Sequence, residues 1–257
     1  MKPRLLDLFC GAGGAAMGYS RAGFEVVGVD IESQPNYPFE FFKCDALEAL
    51  AFWAQYGQFN NSGVAREYRL SDFAAVHASP PCQAFTTMRV MPNARAHSDL
   101  LTPTRELLKE IGLPCVIENV PGAPMDDVHP VNLFGEGGGV TLCGSMFDLN
   151  DGTYELRRHR LFECSTPLVQ PECQHRLPVV GFYGDHARTR QRTVAGNRDR
   201  GGDITGKEAK LALVRDLMGI DWMEWREANQ AIPPAYTEFI GTQLLQHLSL
   251  NESKETP

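Results

Sequence analysis

The sequence predicts an α/β fold with a mainly parallel sheet and a small inserted lobe. Short apolar runs typical of buried strands alternate with helix-forming segments over about the first 120 residues. Three of these runs end at an acidic residue, namely Asp30, Asp45 and Glu118, and the ligands of parallel sheets gather where the strands end. Residues 165–206 contain many turn formers and little helical periodicity, so they are predicted to form the lobe.

The first strands follow from apolar runs and from the turns that end them. Residues 4–9 are a short apolar run that leads into a glycine-rich turn, and residues 15–22 have the composition of a helix. Runs 24–29 and 39–44 each end next to an acid, and residues 46–56 are predicted to form a helix. The chain therefore begins with strand, loop and helix, followed by two more strands.

The later elements follow the same alternation. Residues 73–78 and 114–117 are predicted strands, separated by a helix over residues 98–111 that Ser98 or Thr102 could cap. Further strands are predicted at 140–146 and 159–164, and helices at 207–218 and 234–248, before a frayed tail. The predicted units are a main domain (1–164), the lobe (165–206) and helices that return to the main domain (207–257).

Composition excludes several classes of protein. The 257 residues are 43% hydrophobic and 22% charged, which is ordinary for a globular protein with one sizeable core. No apolar run is long enough for a membrane span, and the first residues lack a signal-peptide core, so an intracellular, prokaryotic or phage-like setting is expected. The net charge of −8 disfavours non-specific coating of nucleic acid, so a polyanion would be bound locally. Seven cysteines without framework spacing indicate reduced thiols.

The first loop and the acids that follow it suit a nucleotide or nucleoside. In the segment DLFCGAGG, glycines allow close approach of the backbone and free amides at the helix start face the ligand; a plain tight turn is the alternative. Asp30 or Glu32 at the end of the second strand could accept both ribose hydroxyls, although either could be a solvated loop acid. Asp45 is placed to accept from an adenine amino group or to cap the following helix.

Two further strand ends carry groups typical of covalent catalysis. In the segment ASPPCQ, two prolines hold Cys82 at a strand end, which favours a reactive thiolate over a buried small side chain. Glu118 ends the next apolar strand, where an unpaired carboxylate would be costly, so it lies in a cleft or is hydrogen-bonded; a structural carboxylate is the alternative. A nucleophilic cysteine beside a glutamate suits attack on a ring whose nitrogen must accept a proton or hydrogen bond.

Taken together, the ordered segments DLFCGAGG, SPPCQ, ENV and RRHRLFE resemble the C5-cytosine-specific DNA methyltransferase family over residues 4–164. The resemblance implies a Rossmann-like S-adenosylmethionine-dependent methyltransferase fold. It implies methylation of C5 of cytosine in DNA, with restriction protection or another role left open. A monomer is expected, and the sequence leaves the oligomeric state open. The target base must be flipped out of the duplex, because the chemistry cannot occur inside the stack.

The resemblance also implies site residues. Cys82 would add to C6 of cytosine, Glu118 would hold the ring at N3 and the exocyclic amine, and Asn119 would fix the loop that carries Cys82. Arg158 and Arg160 match the family's arginine pair, one of which contacts the base O2. The residues expected to contact S-adenosylmethionine are Asp7, Phe9, Gly11, Gly13, Asp30, Glu32, Asp45 and Pro80.

Several features depart from the family pattern. Leu156 replaces a glutamine, residues 230–236 (QAIPPAY) replace the closing Gly-Asn-Ser-Val motif, and the lobe is short. These departures keep open a non-catalytic protein that binds DNA or a partner, and an enzyme that acts on RNA or a nucleotide.

Two clusters in and beside the lobe are candidate ligand sites. The arginines of the lobe are interpreted as phosphate contacts, with salt-sensitive binding as the consequence; a solvated loop offset by nearby aspartates is the alternative. They are Arg188, Arg190 and Arg192, followed by Arg198 and Arg200. Cysteine and histidine residues around Cys143, Cys164, Cys173 and His175 fit no common zinc-finger spacing, so no metal is expected.

Overall fold

The computed structural model describes residues 2–59, 68–82, 85, 98–125, 138–184, 186–190 and 201–255. Its strands are β1 (Arg4–Leu8), β2 (Glu25–Asp30), β3 (Glu40–Lys43), β4 (Gln58–Phe59), β5 (Tyr68–Arg69), β6 (Ala75–Ala78), β7 (Cys115–Asn119), β8 (Gly138–Leu142), β9 (Glu155–Leu156), β10 (Arg160–Cys164), β11 (Val179–Tyr183) and β12 (His186–Arg190). Its α-helices are α1 (Gly14–Ala22), α2 (Ala46–Tyr56), α3 (Leu101–Ile111), α4 (Lys207–Met218), α5 (Trp225–Gln230) and α6 (Pro234–Glu255).

Seven strands form the main sheet in the order β3-β2-β1-β6-β7-β10-β8. The first five are mutually parallel, and β10 lies antiparallel between β7 and β8. The strand order changes direction between β1 and β6, which opens a crevice at the carboxyl ends of these two strands. The predicted α/β fold with a mainly parallel sheet is confirmed.

Helices cover both faces of this sheet because its central strands are apolar on both sides. Helices α2 and α3 pack on one face, where Trp53 and Leu108 are buried against strand residues such as Leu6. Helices α1 and α6 pack on the other face with Leu5 and Tyr236. Successive residues of β1 therefore point into opposite layers, as the pleat requires.

Helices α1 and α6 approach each other closely through glycines. A Cβ at Gly18 would lie 2.1 Å from the carbonyl oxygen of Pro234, and one at Gly14 would lie 2.4 Å from that of Ile232. The hydroxyl of Thr237 donates to the carbonyl of Ala15 at 2.8 Å. These two glycines thus serve the contact with the carboxyl-terminal segment, whereas Gly11 and Gly13 shape the first loop.

A second, three-stranded sheet has the order β12-β11-β9. It shares an apolar cluster with α4 and α5, in which Leu156, Val180, Phe182 and Leu217 are buried. Leu156 is completely buried, so the residue that departs from the family pattern fills this second core. Part of the sheet, β9, precedes residue 165, and the division of the chain into three units stays a prediction.

Most predicted elements agree with the observed ones to within a few residues, and the differences have local causes. The N-cap of α3 is Leu100, not Ser98 or Thr102, and Asp99 Oδ1 accepts from the first amide of the helix, that of Leu101, at 2.8 Å. The strand predicted at 140–146 ends at Leu142 and is followed by a 3₁₀ turn, Gly144–Phe147. Helix α6 continues to Glu255, so the tail predicted to fray is helical to that residue. Within the described ranges, no helix combines the length and apolarity that a membrane span needs.

Candidate active site

The carboxyl ends of β1, β2, β6 and β7 meet at one edge of the main sheet. The loop after β1 is held there in an unusual backbone conformation, since Phe9, Gly11 and Gly13 have φ values of 56°, 49° and 84°. This left-handed region is costly for a residue such as Phe9 and mild for glycine. A Cβ at Gly11 would meet no described atom within 4 Å, so the loop has open space beside it.

The two acids predicted for the ribose have different environments. Asp30 is already bonded: its Oδ2 accepts from the amide of Gly11 at 3.0 Å and its Oδ1 from the amide of Glu32 at 2.9 Å. Asp30 therefore ties the first loop to β2, and Glu32 is exposed. Of the two alternatives, the geometry favours Glu32 as the side chain that can reach a ligand.

Two other residues predicted to contact the cofactor, Asp45 and Asp7, lie at a helix start and in a buried strand. Asp45 caps α2, with its Oδ1 accepting from the amides of Leu47 and Glu48 at 2.8 and 3.1 Å. Asp7 is completely buried below the first loop. Burial raises the pKa of Asp7 well above its ordinary value, and the charge of Asp30 adds to this. Asp7 lies in the central strand β1, and its predicted contact with the cofactor stays a prediction.

The turn that carries Cys82 is fixed from the neighbouring strand. The side-chain amide of Asn119 donates to the carbonyl of Pro80 at 3.0 Å, and its oxygen accepts from the amide of Val120 at 2.9 Å. Asn119 and Pro80 are buried, whereas Cys82 is partly exposed. The carbonyl of Pro80 therefore accepts its hydrogen bond from Asn119. The partly exposed Cys82 follows β6, beside the crevice.

Glu118 and Arg160 form an ion pair beside this turn. Arg160 Nε lies 2.9 Å from Glu118 Oε1, and the side chains are 13% and 8% exposed. The sequence separates them by 42 positions, but antiparallel pairing of Phe162 with Glu118 brings the strand ends together. The largest effect on the pKa of Glu118 is burial, which raises it, and the charge of Arg160 opposes that effect.

The electrostatics of the site favour a resting thiol. Burial raises the pKa of Cys82, the charge of Arg160 lowers it, and the charge of Glu118 raises it again. These surroundings do not favour the expected thiolate at rest, because desolvation of Cys82 outweighs the lowering of its pKa by Arg160 and Arg158. The hydrogen bond from Asn119 to Pro80 joins the Cys82 turn to the strand end that carries Glu118.

Arg158 has a different position from the one that its place in the arginine pair predicts. It is 4% exposed and donates to the backbone carbonyls of Ala231 at 3.0 Å and Asn229 at 2.7 Å. The hydroxyl of Tyr236 donates back to the carbonyl of Arg158 at 2.7 Å. Burial lowers the pKa of Arg158 to about 9. Arg158 is thus a positioning residue that ties the substituted closing segment to the site, and Arg160 is the arginine that pairs with Glu118.

Sequence reasoning missed a buried hydrogen-bond chain behind Glu118. The hydroxyl of Tyr19 lies 3.0 Å from Nδ1 of His77, and Nε2 of His77 lies 2.8 Å from the hydroxyl of Ser79. Ser79 in turn donates to Glu118, which lowers the pKa of that carboxyl. Burial lowers the pKa of His77 to about 3, so the ring is neutral. The one available signal was a histidine inside an otherwise apolar strand.

The arginines predicted to bind nucleic acid lie on β12. Arg188 and Arg190 are exposed on one side of that strand, alternating with the buried Ala187. Arg188 Nε also lies 3.4 Å from Asp203 Oδ1, so a nearby aspartate partly offsets the charge of this arginine, as the alternative interpretation expected. Arg192, Arg198 and Arg200 lie outside the described residues.

The chain has the Rossmann-like fold of S-adenosylmethionine-dependent methyltransferases. The structure is similar over 97% of this chain to a protein named as a DNA modification methyltransferase encoded within a prophage (E. coli), with 99% of that chain covered, 13% identity and a TM-score of 0.50. It is also similar to the S. pombe Dnmt2 methyltransferase, with 96% and 99% coverage, 13% identity and a TM-score of 0.53. At these identities the likenesses establish the fold.

The sequence comparison agrees with the fold. The family model for C-5 cytosine-specific DNA methylase matches residues 3–127, so this segment of the chain is similar to that family. Among curated proteins, none matches the chain. The predicted family resemblance is therefore confirmed.

Proposed function

We propose that this protein transfers a methyl group from S-adenosylmethionine to C5 of cytosine in DNA, through a covalent bond between Cys82 and C6 of a flipped base. One observation carries the proposal: the side-chain amide of Asn119 donates to the carbonyl of Pro80 at 3.0 Å, which joins the Cys82 turn to the strand end where Glu118 pairs with Arg160. A protein that only binds DNA needs no such nucleophile. Leu156, the departure that favoured a binding protein, is explained by its place in the second core.

The first loop and Glu32 fit the cofactor. The open space beside Gly11, the left-handed backbone of Phe9 and Gly13 and the exposed carboxylate of Glu32 suit a nucleoside whose ribose hydroxyls need an acceptor. When bound, S-adenosylmethionine would supply an electrophilic methyl group on its sulfonium. In this proposal, Phe9 and the loop backbone hold the nucleoside and Glu32 orients its ribose.

Attack begins with the thiol of Cys82. Its proton passes to water as the sulfur adds to C6. The electron pair of the C5–C6 double bond forms a C4–C5 double bond, and the C4–N3 pair moves onto N3. A carboxyl with a raised pKa can hold a proton, so Glu118 can donate to N3 while Arg160 stabilises the negative charge that develops on the ring. Asn119 keeps the backbone of the Cys82 turn in place during this step.

The second half of the reaction restores the aromatic ring. The C4–C5 electron pair would take the methyl group, and the sulfonium would leave as a neutral thioether. Water removes the proton from C5, and the resulting pair of electrons re-forms the C5–C6 double bond as Cys82 leaves C6 as a thiolate, which regains a proton from water. Glu118 can take back the proton of N3, which returns the site to its resting state. The enzyme residues therefore emerge unchanged, as catalysis requires.

The exposed face of β12 supports a nucleic acid substrate. Arg188 and Arg190 present two guanidinium groups to solvent on a strand of the small sheet, where they can contact phosphates. In a chain with a net charge of −8, such contacts must be local. We expect binding to weaken steeply with salt.

A covalent trap tests the function. DNA with 5-fluorocytosine and S-adenosylmethionine should give an adduct that survives denaturant, because fluorine cannot leave C5 as a proton. Cys82→Ser should abolish the adduct and keep cofactor binding, whereas the matched control Cys44→Ser should retain both. An adduct that persists in Cys82→Ser would identify another nucleophile. An adduct on fluorinated RNA alone would overturn the DNA substrate, and no adduct with intact cofactor binding would favour the binding protein.

A further inference from the structure

Four potential metal ligands converge next to the arginine pair. Cys143 follows β8, His159 precedes β10, and Cys173 and His175 lie in the segment between β10 and β11. The ligand atoms of these four side chains all lie within 4.8 Å of one another. Cys164, which the sequence suggested as a fourth member, is completely buried within β10 and does not belong to this group.

The separations are those of a tetrahedral site. Nε2 of His175 lies 3.6 Å from the sulfur of Cys143 and 3.6 Å from that of Cys173, and Nε2 of His159 lies 3.8 Å from the sulfur of Cys173. With zinc–sulfur bonds of about 2.3 Å and zinc–nitrogen bonds of about 2.0–2.1 Å, the sulfur–nitrogen edge of a tetrahedron is about 3.6 Å. Three of the six separations among the four ligand atoms therefore match such an edge to about 0.2 Å, and none of the six exceeds 4.8 Å.

A buried carboxylate prepares one of the histidines as a ligand. Nδ1 of His175 lies 2.5 Å from Oε1 of Glu155, and Oε2 of Glu155 accepts from the amide of Arg176 at 3.1 Å. A hydrogen on Nδ1 leaves the lone pair of Nε2 directed at the two sulfurs. Carboxylate–histidine pairs of this kind commonly support zinc ligands, where they fix the tautomer and the ring orientation.

We propose that Cys143, His159, Cys173 and His175 bind a structural zinc ion. Two thiolates and two imidazoles are ligands that zinc prefers, and four protein ligands leave no open position for substrate. The sequence did not predict this site, because the four ligands come from three separate segments of the chain. The expectation that the chain binds no metal is replaced by this proposal.

The local structure explains why a metal would be useful here. Residues 167–176 form no regular secondary structure, and most of them are exposed, so little apolar burial holds them. Zinc would attach this segment to β8 and to the turn before β10. That turn places His159 between Arg158 and Arg160, so the ion would also support the position of the catalytic arginine.

Metal content and cobalt spectroscopy test the site. The full chain, produced with zinc and purified under reductant, should contain one zinc per chain, and cobalt exchange should give the intense visible bands of a tetrahedral Co²⁺–thiolate site. Cys173→Ser should lose both signals and lower the melting temperature, although Cys173 is exposed. The control Cys44→Ser should keep both. Glu155→Gln should weaken zinc binding by about 10–100-fold without abolishing it.

Several results would overturn the proposal. They are metal-free protein that unfolds at the same temperature with and without added zinc, weak octahedral cobalt bands, and full zinc content in Cys173→Ser. A Cys143–Cys173 disulfide in protein kept under reductant, seen as a mass deficit of two hydrogens, would likewise show that the thiols serve another purpose. None of these readouts depends on methyltransferase activity, so the zinc site and the proposed function fail separately.

Discussion

The buried histidine behind Glu118 makes a quantitative prediction about stability and pH. His77 in the folded protein has a pKa of about 3 because burial opposes its charged form, whereas an unfolded histidine has a pKa of about 6.5. Below pH 6.5 only the unfolded chain takes up this proton. The stabilising contribution of neutral His77 is therefore complete above about pH 6.5 and is lost progressively as the pH falls toward 3.

The size of the effect follows from the two pKa values. At pH 5, which is about 1.5 units below the pKa of an unfolded histidine, proton uptake stabilises the unfolded state relative to the folded state by about 2 kcal/mol. For a chain of this size, about 2 kcal/mol lowers the melting temperature by about 4–8 °C. Other buried acids contribute to the pH dependence, but they are common to the wild type and to a His77→Gln variant. The difference between the two proteins isolates the histidine.

Urea unfolding of both proteins at pH 7.5 and pH 5.0 measures this difference. His77→Gln can keep a donor and an acceptor toward Tyr19 and Ser79, and its loss of stability between the two pH values should be smaller by about 2 kcal/mol. His186→Gln, which changes an exposed histidine, serves as the control. Equal pH slopes in the wild type and His77→Gln would refute the claim that this ring is held neutral by burial.

Three further perturbations test separate parts of the structure. Gly18→Ala should lower the free energy of unfolding by about 3 kcal/mol and the melting temperature by about 6–12 °C, since the new Cβ meets backbone. Gly202→Ala, which has open space, should be neutral, and equal melting temperatures of these two variants would contradict the packing of α1 on α6. Asn119→Ala should slow trapping of Cys82 by about 100-fold by releasing its turn, while unchanged kinetics would show that the turn holds itself. Glu32→Gln should weaken S-adenosylmethionine binding by about 10–100-fold in calorimetry, and undiminished affinity would exclude Glu32 from the ribose.

Local signals made much of the fold predictable. Helix α2 was predicted with its observed bounds because Asp45 caps its start and Gly57 ends it in a left-handed conformation. Helix α5 was missed, because six residues carry too little periodicity and its burial depends on the cluster around Trp225. Strands β11 and β12 were likewise hidden, since their pairing with each other and with β9 joins separate parts of the chain.

The candidate site, like the fold, has features that the sequence predicted and features that it could not predict. The order of the motifs predicted that Cys82, Glu118 and the arginine pair act together, but the sequence could not show which arginine pairs with Glu118. That distinction depends on the carbonyls that bind Arg158, which lie more than 70 positions away. His77 was missed for a related reason: its partner Tyr19 comes from a helix 58 positions earlier.

Three distant parts of the chain hold the turn that leads into β10. Arg158 is bound by the carbonyls that precede α6, His159 reaches the cluster with Cys173, and Arg160 pairs with Glu118 on the neighbouring strand. Successive residues thus have different partners. Because each attachment comes from a different segment, the guanidinium of Arg160 is positioned before substrate arrives. Such preorganisation is what electrostatic stabilisation of a developing charge requires.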